Sequence, residues 1–95
     1  MSGNRFRDRF RQKDALAAQL LAVNLKRIRQ NRGLTQDQLA ADLDIEQSAI
    51  SLIENARANP GLLLLDAMAK VLECHVRDLF EDADSKTVIR GGRSK

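Results

Sequence analysis

An all-α fold of five short helices is what this sequence predicts, and three observations carry that expectation. Phe is the only aromatic type, at 3% of 95 residues, while Leu, Ala, Gln, Arg and Asp are abundant, a composition that favours helix over strand. Apolar residues recur at three- and four-residue spacing in successive segments. Between those segments stand residues that start or stop helices, notably Gly33, Thr35 and Pro60.

The first helix is expected over 15–31, with Leu21, Leu25 and Ile28 facing inward, Asp14 as N-cap and Gly33 as the stop. Leu16, Leu20 and Val23 form a second apolar edge beside that face, more hydrophobic surface than a helix end needs. Phe6 and Phe10 stand four apart, so either the helix begins earlier or an arm docks its two rings on this edge. Thr35 caps a helix over 36–43, its hydroxyl placed to accept a first-turn N–H, with Leu39, Ala40 and Leu43 inward.

Asp44 and Ile45 make a tight turn into a third helix that starts at Glu46 or Gln47, ends near Asn55, and buries Ala49, Ile50 and Ile53. After a loop over 56–59, Pro60 suits the entry to a fourth helix, 61–72, because its missing N–H is not needed there. That helix is expected to bury Leu62, Leu65, Met68 or Ala69, and Leu72, which leaves Leu63 and Leu64 unassigned. A last short helix over 76–80, capped by His75, returns Val76, Leu79 and Phe80 to the core. Beyond Glu81 only Val88 and Ile89 offer anything to bury, which suits a mobile tail or a strand formed against a partner. The organisation read from the chain is therefore a basic arm (1–14), a helical domain (15–80) and a flexible tail (81–95).

The formal charge of +3 is unevenly spread. Residues 1–14 hold five basic and two acidic groups, 15–80 hold seven and eight, and 81–95 hold four and three. The excess sits on the ends, and the central domain is slightly acidic. A domain of this size buries only about 60–65% of its unfolded surface, so a second subunit would add to a modest stability.

Several function classes are disfavoured. Cys74 is the only cysteine, which excludes an intrachain disulfide, and no second Cys or paired His gives metal-ligand spacing, so no cofactor is expected. No apolar run reaches the length of a signal core or a membrane span, which fits a soluble cytoplasmic protein. Cys74 beside His75 invites a nucleophile reading, but sequence neighbours rarely point at each other. Asp42, Asp44 and Glu46 lack the Gly-centred loop of a calcium site. There is no phosphate-binding Gly loop and no triad pattern, so an enzyme is not expected.

The residues NLKRIRQNRGLTQDQLAADLDIEQSAISLIENARANPGLLLLDAMAKVLECHVRDLF, 24–80, bring RGLTQ, QLA, QSAIS and IENxRxNP into one order with fixed gaps. In this they resemble the Cro/C1-type (XRE) helix-turn-helix domains of phage repressors and bacterial regulators. The resemblance implies a five-helix, lambda repressor-like domain with the helix-turn-helix as its second and third helices. It also implies double-stranded DNA as partner, bound in most cases by a homodimer.

The third helix would then lie in the major groove, with Gln47, Ser48, Ser51 and Leu52 outward as base readers. A Gln amide matches adenine N6 and N7, Ser is less selective, and Leu52 could sense only a thymine methyl. Gln36 suits a phosphate at a helix start, and the resemblance implies that it braces Gln47. Arg32, Asn55, Arg57 and Asn59 are the further candidates for the DNA backbone. The resemblance pairs Arg29 with Glu54, largely out of water.

Three departures stand out. Asp44 replaces the Gly of the turn, Glu46 replaces a Ser or Thr cap, and Ala56 replaces a Gly after the third helix, leaving Asn55 as the expected left-handed residue. Leu63 and Leu64, polar in related domains, are the dimer candidates, unless the N-terminal arm covers them.

The arm RFRDRFRQK has three arrangements open to it: an extended strand along DNA, a disordered leader, or a helical extension that builds a dimer contact through Phe6 and Phe10. Two functions follow. The first is a dimeric repressor on a pseudo-palindromic operator, with no effector domain after Phe80. The alternative is an antitoxin-like or restriction-modification controller module whose tails, including 87–90, order on a protein partner.

Overall fold

The structure, a computed structural model, describes residues 5–82, and its regular elements are all helical, with no strand among the described residues. A short α1 (Arg5–Arg9) and a 3-10 turn (Gln12–Asp14) precede α2 (Leu16–Asn31). Then come α3 (Gln36–Leu43), α4 (Gln47–Glu54), α5 (Leu62–Val71) and a closing 3-10 helix (Val76–Phe80). The five predicted helices are thus present, the last wound as 3-10. The segment from 83 onward, including most of the predicted tail, lies outside the described residues.

The core forms where α2 packs on α4 and on the closing 3-10 helix, and where α3 packs on α4 and α5. Leu25, Leu39, Ile50, Met68, Leu72 and Leu79 are fully buried at its centre. Each such side chain withdrawn from water contributes about 1.5–3 kcal/mol, the main force holding helices this short. Asn24 is buried too. Its amide donates to the carbonyls of Leu20, Leu79 and Glu81 at 2.9, 3.3 and 2.7 Å, and its Oδ1 accepts from Arg27 at 2.8 Å. It therefore ties the end of the domain to α2, a role that sequence periodicity does not signal.

Helix ends follow one rule. After α2, α3, α4 and α5 the chain turns through a left-handed residue, at Gly33, Asp44, Ala56 and Glu73 respectively. In each case the next residue's N–H reaches back five positions: Leu34 to Arg29, Ile45 to Ala40, Arg57 to Leu52, and Cys74 to Ala69. Leu34, Ile45 and Cys74 drop into the side of the core at these points. Arg57 does not; it is exposed.

Several expectations need correction. Asp14 belongs to the 3-10 turn, and Ala15 precedes α2 without any side-chain cap. Pro60 stands two residues before the start of α5, whose N-cap is Gly61. The left-handed residue after α4 is Ala56, since the hydrogen-bonded turn places that conformation one position beyond Asn55. Ala49 is only half-buried. Leu62 has the angular position of the buried face, but the first turn of α5 projects past the core and leaves it 80% exposed. Leu64 packs against the core instead. The exposed pair is consequently Leu62 and Leu63, not Leu63 and Leu64. The arm does not cover it, and Phe6, Phe10, Leu16 and Val23 are themselves exposed, so the rings do not dock on α2.

Candidate nucleic-acid interface

Local chemistry sets α3 and α4 at their starts. Thr35 Oγ1 accepts from the Gln38 N–H at 3.0 Å, and Gln38 Oε1 accepts from the Thr35 N–H at 2.8 Å. This reciprocal cap fixes where α3 begins and hence where Gln36 stands. Asp44, at φ 57, takes the left-handed turn that reverses the chain into α4, with Gln47 as its first residue. The side chain of Glu46 makes no cap bond.

A chain of polar contacts then runs from the interior to the surface. Arg29 Nε and Nη2 donate to the two oxygens of Glu54 at 2.6 and 3.0 Å, with side chains only 8% and 3% exposed. Arg29 Nη1 donates to the Leu34 carbonyl at 2.8 Å. The Glu54 hydrogen bond holds the Arg29 guanidinium above its ordinary pKa against the opposing effect of burial, so the pair stays charged on the arginine side. Gln36 Nε2 donates to Glu54 Oε1 at 3.0 Å, and Gln47 Nε2 donates to Gln36 Oε1 at 2.6 Å.

The direction of this relay is forced. Arginine only donates and an ionised carboxylate only accepts, so Glu54 must receive from the amide nitrogen of Gln36. The oxygen of Gln36 then faces Gln47, which must donate to it. One N–H and the Oε1 of Gln47 remain for an external ligand, the donor-acceptor pair that matches N7 and N6 of adenine. A buried ion pair thereby orients an exposed amide.

A helix-turn-helix family model (HTH_3) matches residues 25–79, more than half of the chain. The chain belongs to the helix-turn-helix family. An uncharacterised HTH-type transcriptional regulator from Archaeoglobus fulgidus is 28% identical over 60 residues, covering 63% of this chain and 86% of that protein. The controller protein C.AhdI of a restriction-modification system from Aeromonas hydrophila has a similar structure, with TM-score 0.64 and 25% identity over 66% of this chain and 96% of that one. The hypothetical transcription factor NHTF from Neisseria gives TM-score 0.68 and 26% identity over 76% of this chain and 80% of that one. The fold and the family function of DNA-binding transcriptional regulation are those expected from 24–80.

Within this helix-turn-helix domain, α4 stands second in the motif, the position that the resemblance gives to the recognition helix. Gln47 and Ser48 are exposed on its first turn, Ser51 is half-buried behind them, and Leu52 is 48% exposed. The predicted Arg29–Glu54 pair is formed, and Gln36 braces Gln47 as the resemblance implied. Arg57 and Asn59 are exposed in the loop after α4, with no side-chain partner among the described residues. The Asn55 amide nitrogen donates one N–H back to the Ser51 carbonyl at 2.8 Å, which leaves its second N–H, the group a phosphate could accept from, and its oxygen.

Arg32 is not brought to this cluster; its Nη2 donates to the Glu73 carbonyl at 2.9 Å, at the end of α5. Cys74 is no nucleophile, because burial, aided by Asp78, pushes its thiol pKa up, and thiolate chemistry needs the reverse. His75 is occupied as a cap, its Nδ1 accepting from the Arg77 N–H at 3.1 Å. One interaction had no signal in the sequence: Gln12 Nε2, in the arm, donates to the carbonyls of Ala56 and Ala58 at 3.3 and 3.0 Å.

Proposed function

We propose that this helix-turn-helix regulator is a homodimeric repressor that reads a pseudo-palindromic operator with α4 and acts by occupancy rather than catalysis. The observation that supports it is the oriented amide of Gln47, held by Gln36 on the buried Arg29–Glu54 pair. An amide fixed before binding gives up little rotational freedom when it meets a base, which favours discrimination over mere adhesion. Ser48 and Leu52 extend the reading edge, and Arg57, Asn55 and Asn59 supply backbone contacts. Two-fold protein symmetry would match half-sites about 34–36 Å apart. No helix among the described residues is long and apolar enough to cross a membrane, which is compatible with work in the cytoplasm on DNA.

Footprinting and binding titration on the DNA upstream of the protein's own coding sequence test this reading. Gln47→Ala is expected to relax discrimination at one base position per half-site by about 1–3 kcal/mol. An unchanged base preference would remove Gln47 from the readers. A second reading, a controller within a restriction-modification system or an antitoxin-like module with a protein partner, is favoured by the restriction-modification controllers among the similar structures. A neighbouring gene for a restriction enzyme or toxin distinguishes it.

A further inference from the structure

The helical domain that carries the reading helix has more acidic than basic groups, eight against seven over residues 15–80. Affinity for a duplex nevertheless rests largely on cations placed against phosphates. Of the arm, the helical domain and the tail, the arm (1–14) carries the largest excess of positive charge, five basic against two acidic groups, and the structure shows where its root is fastened. Gln12 directs its amide nitrogen to the Ala56 and Ala58 carbonyls, which flank Arg57 in the loop leaving the recognition helix. The arm is thus pinned at the point where the chain departs from the reading surface.

The cations of the arm are available there. Arg5, Arg7, Arg9, Arg11 and Lys13 are all exposed. Arg11 meets Asp14 only at 3.9 Å, and Arg9 lies over the Phe10 ring at 5.4 Å. Arg5, Arg7 and Lys13 pair with no carboxylate among the described residues. In α1, Arg5 and Arg9 are four apart and share a face, whereas Arg7 points to the opposite side. One face of the short helix can therefore lie along a phosphate strand.

We propose that the N-terminal arm is a second DNA-backbone contact, positioned by Gln12 on the loop after the recognition helix, with Arg5 and Arg9 as its principal phosphate ligands and Arg57 continuing the same basic track. The inference rests on the DNA-binding reading and adds to it a sequence-independent grip outside the family domain. It assigns Gln12 a positioning role, since that side chain acts only through the loop.

The test uses the full chain and two duplexes, one of random sequence and one from upstream of its own coding sequence. For R5Q/R9Q, the slope of log Kobs against log salt is expected to become shallower by about 0.9 for each phosphate ligand removed, on both duplexes, with the base preference and melting temperature unchanged. Gln12→Ala should also weaken binding to both duplexes, yet add nothing when combined with R5Q/R9Q, because the anchor has no purpose without the cations. A slope identical to that of the unaltered chain overturns the proposal. So does an unchanged slope accompanied by a shifted monomer-dimer equilibrium, which would make the arm a protein contact. If the unaltered chain binds neither duplex, the DNA reading falls and the arm proposal with it. Gln47→Ala, expected to alter base preference and spare the slope, keeps failure of the base-reading model distinguishable from failure of the arm.

Discussion

At the scale of single residues, Glu54 has the largest consequences. It accepts three hydrogen bonds, two from Arg29 and one from Gln36, while its side chain is 3% exposed. A surface ion pair of this kind is worth little, but removing one partner from a buried pair leaves the other charge stranded, at a cost of about 3–5 kcal/mol. Glu54→Ala is therefore expected to lower stability by that amount in urea unfolding monitored by circular dichroism. A change within a few tenths of a kcal/mol would mean that Arg29 finds water. Resemblance foretold this pair, and it foretold Gln36 beside Gln47. It could not foretell that Arg32 turns to the Glu73 carbonyl, because an arginine near a helix end has several acceptors in reach and only the placement of α5 selects one.

At the scale of elements, the same left-handed turn ends four α-helices, yet only Gly33 uses the residue type that takes this conformation without cost. Asp44, Ala56 and Glu73 carry a Cβ into it. For Ala56 no side-chain interaction compensates, so Ala56→Gly is expected to stabilise the domain by roughly 0.5–1 kcal/mol, the net of relieved strain and added unfolded-state entropy. Thermal melting measures it, and a lower melting temperature would contradict the turn geometry. Existence and type of the helices were legible because apolar spacing and caps agree, as at Thr35 with Gln38. The ends themselves were less so. Asp14, Asn55 and Pro60 each have the right chemistry for a boundary, but hydrogen-bonded closure placed the boundary one or two residues away.

For the whole molecule, the exposed apolar residues are what a single chain leaves without a neighbour. Leu62 and Leu63 are 80% and 86% exposed at the start of α5, and no part of the described chain covers them. With Leu64 turned to the core, they make a patch that favours a second copy, in line with the proposed two-fold reading of DNA. L62E/L63E is expected to give a monomer in sedimentation analysis, with the fold retained and operator affinity strongly reduced. A dimer of unaltered strength would move the interface elsewhere, with Leu16 and Val23 of α2 the next exposed apolar edge.

The sequence alone determined the all-helical class, the position of the helix-turn-helix and the pairing of Arg29 with Glu54, because these depend on spacing within one or two turns and on a motif with fixed gaps. Only the tertiary structure decided that the arm fastens through Gln12 to a loop more than forty residues away, that Asn24 holds the end of the domain, and that Leu62 rather than Leu64 faces solvent. Those outcomes depend on where separate helices stop against one another. Helical periodicity gives the angle at which a side chain leaves its axis, but not whether a neighbouring element extends far enough to meet it.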